Sequence, residues 1–268
     1  MRAISRRQAL VALGGTAAAV GGLEWMAPGV ASAADDAYAS NTALYAAPQL
    51  AEGVDYGRRY RRHAAFDDSS AAAVDGFPAT VILALHGGGI ELGCSELCLA
   101  VAGYHPATLA VTAPAHDFWM FEGLRRSGNG QLHVTATHCD DPVAVLLTAG
   151  ATRAVSLHGC TEEQAGLPAN SQAVLVGGRD GALKARLISE FGKSEIAITA
   201  IDAADVPDLG GTDTRNICNR TYTGAGAQLE LTTPLRDAMF GTNTAAGRKN
   251  TTTDLFWRFV TATRNSLA

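Results

Sequence analysis

The chain has 268 residues and a formal net charge of −5 at pH 7, with 47% hydrophobic and 18% charged residues. This length is enough for one sizeable domain, and an ordinary composition without charge runs or low-complexity segments predicts a single compact core. The negative net charge argues against a general nucleic-acid or membrane-surface binder, because both would favour a broadly basic face. An anionic ligand would therefore have to be bound by a local group of lysine or arginine side chains.

The first 33 residues have the features of an export signal. Arg6 and Arg7 follow a serine and precede an apolar stretch, and the small residues at 31–33 suit a signal peptidase. A membrane anchor is the less favoured alternative, because glycines and a glutamate interrupt the apolar run well short of the roughly 20 residues that a span needs. We predict a twin-arginine-type signal peptide over 1–33 and a secreted, monomeric catalytic domain over 34–268.

The mature part of the chain alternates between strand and helix patterns. Residues 35–75 are irregular and polar, and they predict an approach segment with one or two edge strands. Short apolar runs then predict buried strands at 80–86, 108–114, 132–138, 153–159, 173–178 and 195–201. Capping residues and terminal glycines predict helices at 95–103, 141–150 and 179–192, and a closing amphipathic helix at 251–265. This order predicts an α/β domain with a mixed, mostly parallel sheet flanked by helices, and a site outside the carboxyl ends of its strands.

The residues best suited to bind a metal ion lie at two predicted strand ends. His86 and His158 each close a strand, so in a parallel sheet both imidazoles would emerge at the edge where open α/β sheets place their ligands. Glu91 follows His86 in the loop HGGGIE, whose glycines would let the chain fold back. Two neutral imidazoles and one carboxylate can hold a zinc ion and leave a fourth position for water. We predict one Zn²⁺ bound by His86, Glu91 and His158.

Other residues that could bind metals or act as nucleophiles have weaker support. An odd number of cysteines without a CxxC pair signals neither a zinc ribbon nor a complete disulfide framework. They are interpreted as small buried residues with up to one disulfide, and a thiol nucleophile is the less favoured alternative; they stand at Cys94, Cys98, Cys139, Cys160 and Cys218. Four histidines are interpreted as surface or supporting residues, with the last of them nearest to the site: His105, His116, His133 and His138.

A polar strip at 214–237 offers a catalytic base and substrate contacts. In QLELTT the side chains alternate across a strand, so Glu230 shares a face with Gln228 and Thr232 and could act as a base on water. Arg220 is the candidate for steadying an oxyanion or a substrate carboxylate, because a guanidinium binds such groups bidentately. The remaining candidate substrate-binding residues are Arg215, Asn216, Asn219 and Arg236. Ordinary surface charge is the alternative interpretation of the arginines.

Five segments in order, HGGGIELGCSEL, THCDDP, SLHGC, TRNICNR and GAQLELTTPLR, resemble the poly-γ-glutamate hydrolase family, a phage-replication-protein-like group related to zinc carboxypeptidases. The resemblance covers nearly the whole predicted mature chain. It implies a zinc-carboxypeptidase-like fold, a zinc ion on His86, Glu91 and His158, and Glu230 as the catalytic glutamate. Leu92 and Cys94 stand where relatives have proline and threonine, and His86 and Glu91 are more widely spaced than in the HxxE motif of pancreatic-type carboxypeptidases.

The expected function is that of a secreted, zinc-dependent amidohydrolase that cleaves γ-glutamyl amide bonds of poly-γ-glutamate or a related glutamyl polymer. Two alternatives remain open. One is a non-catalytic exported module that binds an anionic polymer, and the other is a zinc carboxypeptidase or amidase that acts on cell-wall peptides. The chain contains neither GxSxG nor GxGxxG, which argues against a serine hydrolase of the α/β type and against a dinucleotide enzyme.

Overall fold

The computed structural model describes residues 36–63 and 79–268, so the predicted signal peptide over 1–33 lies outside the described residues. The strands are β1 Tyr56–Arg61, β2 Thr80–Gly88, β3 Asp117–Gly123, β4 Arg153–Cys160, β5 Ala173–Gly178, β6 Thr199–Asp202 and β7 Ala227–Thr232. The helices are α1 Asn41–Tyr45, α2 Cys94–Val101, α3 Pro142–Ala149, α4 Gly181–Phe191, α5 Thr233–Ala238 and α6 Asp254–Leu267.

The seven strands in the described part of the chain form one mixed sheet in the order β1-β3-β2-β4-β7-β5-β6. The central strands β3, β2, β4 and β7 run parallel to one another. At one edge β1 is antiparallel to β3, and at the other β5 is antiparallel to β7 while β6 runs parallel to β5. The predicted α/β domain with a mixed, mostly parallel sheet flanked by helices is therefore confirmed.

Each central strand sends alternate side chains to opposite faces of the sheet. On one face, Val155 and Leu157 of β4 join the same core as Leu229 and Leu231 of β7, packed beneath α2, α4 and α6. The intervening residues of β4 and β7 point to the other face, which carries α3. His158 belongs to this second set. The face that lacks the long helices is thus the one that receives the polar side chains.

Several predicted elements are confirmed, and two predicted strands are wrong. Strands form at 80–88, 153–160 and 173–178 and the closing helix forms, whereas the strand predicted at 195–201 begins only at residue 199. Residues 108–114 form a loop in which Leu109 has φ 58 and Val111 is 63% exposed. The strand predicted at 132–138 is replaced by two 3₁₀ turns with an extended link between them. The first turn is Asn129–Leu132, and the second is Ala136–His138. The wholly buried strand β3, DFWMFEG, was not predicted.

The five cysteines are all free and buried. This agrees with their interpretation as small buried residues, and none of them forms a disulfide. Burial raises the pKa of the Cys139 thiol to about 12, and it raises the pKa of Cys160 far above its usual range. Neither thiol is therefore activated as a nucleophile. None of the helices described at 36–63 and 79–268 combines the length and the hydropathy that a membrane span requires.

Candidate metal centre

The glycine turn after β2 folds Glu91 back onto His86. The pairing of β2 with β3 is irregular between Ala84 and Gly87, and such irregularities re-aim side chains. The Glu91 backbone N–H donates to the His86 carbonyl at 2.8 Å and closes the turn. Gly88 has φ +65, and a Cβ atom at this position would lie 2.4 Å from the Gly123 carbonyl oxygen. Only glycine therefore fits at the centre of this turn.

The three predicted ligands meet at one point. His86 Nδ1 lies 2.8 Å from Glu91 Oε1 and 3.2 Å from His158 Nδ1, and the candidate ligand atoms of all three residues lie within 4.8 Å of one another. All three side chains are buried. Zinc–nitrogen bonds of about 2.0–2.1 Å in a tetrahedron place neighbouring ligand atoms about 3.3 Å apart. These donors therefore fit a single small cation.

The other polar atoms of the three ligands are held by the protein. His86 Nε2 lies 2.9 Å from the Val134 carbonyl oxygen, which can only accept, so this nitrogen carries a proton. His158 Nε2 lies 2.7 Å from Ser156 Oγ. The Gly159 backbone N–H donates to Glu91 Oε2 at 2.8 Å. Contacts of this kind orient metal ligands and fix imidazole tautomers, and here they turn both Nδ1 atoms toward the shared point.

The charges at this point suit a cation. Burial alone would raise the pKa of Glu91, but the neighbouring His86 outweighs it and lowers that pKa to about 2. Burial, with help from the nearby His86, lowers the pKa of His158 to about 3. For His86, burial is outweighed by the charge and hydrogen bond of Glu91, so its pKa is raised. At neutral pH Glu91 is therefore a charged carboxylate and His158 a neutral imidazole, the forms in which these groups bind metals.

Glu230 stands beside the three ligands. It lies opposite His158 in the register of β4 and β7, and paired residues of neighbouring strands share a face of the sheet. Its Oε1 accepts a hydrogen bond from Gln228 Nε2 at 2.9 Å, and Gln228 Oε1 accepts one from Asn216 Nδ2 at 2.7 Å. Burial, reinforced by the charge of Glu91, raises the pKa of Glu230 well above its usual range. Glu230 is thus an anchored carboxyl group with a high proton affinity.

These groups open into a cavity of about 630 Å³. Its wall contains the three candidate metal ligands, Glu230, uncharged polar side chains and two aspartates at the rim. The lining residues that carry polar side chains are His86, Glu91, His133, Thr135, Thr137, His158, Cys160, Gln164, Asp208, Thr212, Asp213, Asn216, Gln228 and Glu230. Among the residues described at 36–63 and 79–268, no lysine or arginine lines this cavity.

The predicted substrate-binding residues lie mostly outside the cavity wall. Asn216 reaches the wall, but its amide group holds Gln228. Asn219 is buried, and its Nδ2 donates to the backbone carbonyls of Gly211 and Asp213. Arg220, predicted as the catalytic residue that steadies an oxyanion or a substrate carboxylate, also lies outside the cavity wall and donates to the Cys139 carbonyl at 3.0 Å. Arg215 lies at the rim, with its side chain 72% exposed and paired with Asp213 at 2.7 Å.

Arg236 lies beneath the site rather than in the cavity. Its guanidinium donates to the carbonyls of Leu231 and Leu92 at 3.1 and 3.0 Å and to Thr233 Oγ1 at 3.1 Å. These contacts tie β7 to the segment that follows Glu91. The position indicates a structural role in place of the predicted substrate contact.

Replacing Arg236 is therefore expected to lower stability. Arg236→Met keeps much of the side-chain volume but removes the donors, and a buried acceptor left without a donor costs about 1–3 kcal/mol. We expect the free energy of unfolding in urea to fall by roughly 3 kcal/mol, since several acceptors are affected. Arg215→Met is the matched control, and its unfolding free energy should equal that of the parent chain. If Arg236→Met instead unfolded at the same urea concentration as the parent chain and had a raised KM for substrate, the substrate-binding interpretation would be restored.

His133 is the main residue whose position the sequence did not reveal. It lines the cavity, and its ring stacks on His86 with 3.9 Å between ring centroids. His138, predicted to be the nearest of the four other histidines, has a side chain that is 44% exposed and lies outside the cavity wall. Ser156 and Gln228, which hold His158 and Glu230, were also not predicted as supports, although each stands two residues before its partner on the same strand face.

A mixed α/β sheet that presents two histidines and a glutamate near the carboxyl ends of parallel strands, beside a further buried glutamate, has the arrangement of a metal-dependent hydrolase. The sequence model of the poly-γ-glutamate hydrolase family matches residues 67–262. The chain belongs to this family, and the resemblance noted in its motifs is confirmed.

The chain is also similar to individual members of known sequence or structure. It is 32% identical to YndL of Bacillus subtilis (strain 168) over 179 residues, covering 67% of this chain and 63% of that protein. It is 34% identical to the SPbeta prophage-derived protein YoqZ of the same strain over 180 residues, covering 67% and 58%. The chain thus spans about three fifths of the length of these relatives.

Two solved structures share the fold. A bacteriophage poly-γ-glutamate hydrolase superposes with a TM-score of 0.70 and 30% sequence identity, covering 87% of this chain and 96% of that one. YndL in an apo, zinc-free form superposes with a TM-score of 0.70 and 28% identity, covering 87% and 98%. The likeness extends well beyond the residues that form the site.

Proposed function

We propose that this chain is a zinc-dependent hydrolase that cleaves γ-glutamyl amide bonds in poly-γ-glutamate or a related glutamyl polymer. The observation that carries the proposal is the convergence of His86, Glu91 and His158 within 4.8 Å of one another on the wall of a cavity that also contains Glu230. Membership of the poly-γ-glutamate hydrolase family supports the substrate class. The zinc-free form of YndL supports zinc as the metal.

In this proposal His86 and His158 hold the ion through their Nδ1 atoms, and Glu91 holds it through its carboxylate. When bound, zinc would polarise an amide carbonyl and lower the pKa of water. The chain's own contribution is to hold the donors in place through Val134, Ser156 and the Gly159 backbone, so that little rearrangement is needed on binding.

Glu230 acts first as the general base and then as the general acid. Gln228 occupies Oε1, and Oε2 has no hydrogen-bond donor in the described part of the chain, so Oε2 is the atom available to substrate and water. As a carboxylate, Glu230 takes a proton from the attacking water while the new C–O bond forms. It then gives this proton to the departing amine nitrogen as the C–N bond breaks. The proton balance closes within one turnover.

Two arginines at the rim of the cavity would bind the carboxylates of a glutamyl polymer. Arg215 and Arg179 flank the rim segment that contains Thr212, since Arg215 pairs with Asp213 and Arg179 Nη1 donates to the Thr212 carbonyl at 3.4 Å. Both arginines have exposed side chains. The cavity wall next to the metal ligands is uncharged or acidic, which favours a second candidate function. This is an amidase that acts on cell-wall peptides, because these substrates carry fewer negative charges near the scissile bond than a glutamyl polymer does.

A substrate panel separates these functions. We expect zinc-loaded protein to cleave poly-γ-glutamate faster than α-linked oligoglutamate or γ-glutamyl cell-wall peptides, to stop when a chelator is added, and to recover with zinc. Product formation is followed as newly released amino groups. Cleavage of the cell-wall peptides alone would favour the second candidate. Tight polymer binding without cleavage would favour the non-catalytic module.

We also propose that the chain is exported as a monomer through the twin-arginine route. Support comes from Arg6 and Arg7 and from the small residues at 31–33. Replacing both arginines by lysine should retain the protein inside the producing cell, as measured by fractionation and immunoblotting. Unchanged export of this variant would exclude the twin-arginine route.

A further inference from the structure

An N-terminal arm, residues 36–40, reaches the metal centre from outside the sheet. Asp36 Oδ1 lies 2.7 Å from His133 Nδ1, and Asp36 Oδ2 accepts a hydrogen bond from the Thr135 backbone N–H at 2.7 Å. The Asp36 side chain is only 6% exposed. One carboxylate thus makes hydrogen bonds to both ends of the segment 133–135.

The segment 133–135 in turn contacts His86 in two ways. The His133 ring stacks on the face of the His86 ring at 3.9 Å between centroids, with 28° between their planes. The Val134 carbonyl accepts the hydrogen bond from His86 Nε2 at 2.9 Å. The first contact fixes the plane of the His86 imidazole, and the second fixes its rotation and its tautomer.

Besides Asp36, the segment is held by the buried side chain of Val134 and by backbone hydrogen bonds to the neighbouring turns, from the His133 N–H to the Gly130 carbonyl and from the His138 N–H to the Thr135 carbonyl. It lies between two 3₁₀ turns, Asn129–Leu132 and Ala136–His138, and it belongs to none of the seven strands. Thr135 Oγ1 is buried and has no hydrogen-bond partner among the described residues. Without Asp36, the part-buried backbone N–H of Thr135 would also lose its partner, and backbone donors shielded from water are rarely left unpaired in a stable structure.

We propose that Asp36 is a positioning residue that, through His133 and Val134, fixes the His86 imidazole in the orientation required for metal binding. The inference rests on the proposed function, because it concerns the same metal centre. It adds a residue from an arm that lies outside the region matched by the family, which begins at residue 67. The inference thereby extends the site to this arm.

The test compares Asp36→Ala and Asp36→Asn with Asp140→Ala in the full chain. Asp140 is a matched control, because its carboxylate also anchors the N-terminal part of the chain, by accepting from the Thr42 backbone N–H at 2.8 Å and from the Thr42 hydroxyl. It does not contact the segment 133–135. Zinc affinity is measured by competition with a chromogenic chelator, and the protonated nitrogen of His86 is identified by ¹⁵N NMR of the zinc-free protein.

We expect Asp36→Ala to bind zinc about 10-fold to 100-fold more weakly, the range typical of residues that support a ligand. Asp36→Asn keeps one acceptor oxygen and should lose less, and Asp140→Ala should bind like the parent chain. In Asp36→Ala the His86 signal should no longer show a single Nε2–H tautomer. If Asp36→Ala does not fold, the loss in Asp36→Asn decides.

Unchanged zinc affinity and an unchanged His86 tautomer in the Asp36 variants would overturn the inference. A parent chain that binds no zinc would instead overturn the proposed function. In that case the tautomer of His86 still tests the positioning role, because this measurement is made without metal.

Discussion

Replacing Glu230 by glutamine is expected to lower kcat on poly-γ-glutamate by about 10²-fold to 10⁴-fold, the range typical of a lost acid–base group. Glutamine keeps the shape of the side chain and one oxygen that can accept from Gln228, but it cannot take a proton from water. Zinc content should stay that of the parent chain, because Glu230 is not among the three convergent ligands. Kinetics and elemental analysis on the same preparation check both parts.

A second buried glutamate provides the control for this variant. Glu122 lies on β3 and pairs with Arg59 at 2.6 Å, away from the cavity wall. Glu122→Gln should change stability more than turnover. If Glu230→Gln hydrolysed the polymer at nearly the parent rate, Glu230 would not be the base, and another group on the cavity wall would have to move the proton.

Removing His158 is expected to abolish both zinc binding and activity. His158→Ala deletes one of three protein ligands, so zinc affinity should fall by more than the roughly 10-fold to 100-fold that is typical of residues that only support a ligand. Glu91→Gln should also weaken zinc binding, since it removes the negative charge beside His86. Chelator competition measures the dissociation constants, and circular dichroism confirms that each variant is folded.

His105→Ala is the matched histidine control. Its ring packs against Trp257 with 5.7 Å between centroids, remote from the cavity wall. Zinc affinity of this variant should equal that of the parent chain. Equal affinities for His158→Ala and the parent chain would mean that the ion, if any, is held elsewhere.

Much of the site could be predicted because it depends on strand order and period. Parallel strands bring their carboxyl ends to one edge, so two strand-end histidines separated by 72 positions in the sequence could be expected to meet. Glu230 could be placed because QLELTT alternates, and the register opposite His158 puts it on the cavity face. These arguments need only local pattern and a general rule of sheet topology.

The segment 132–138 shows where local pattern fails. Its alternation is that of a strand, and Leu132 and Val134 are indeed buried in a core. Its backbone, however, binds Asp36 and His86 instead of a neighbouring strand. The sequence separation between Asp36 and His133 is 97 residues, so no local rule signals the contact. The position of His133 on the cavity wall could not be predicted for the same reason.

The arginines show a second limit of local reasoning. Charge counting indicates that an acidic chain needs cations to meet a polyanion, but it does not distinguish an exposed guanidinium from one that is saturated by backbone carbonyls. Arg236 is of the saturated kind, and Arg215 is of the exposed kind. Each arginine has a polar residue directly after it, Asn216 and Asp237, and only tertiary packing shows which guanidinium is saturated.

Anomalous X-ray scattering at the zinc absorption edge, from crystals of the chain grown with zinc, tests the metal centre most directly. A single strong peak is expected within about 2.0–2.2 Å of His86 Nδ1, His158 Nδ1 and a carboxylate oxygen of Glu91. A peak at other residues, or no peak at this point in crystals of protein that cleaves poly-γ-glutamate, would contradict the assignment of these three residues as the zinc ligands.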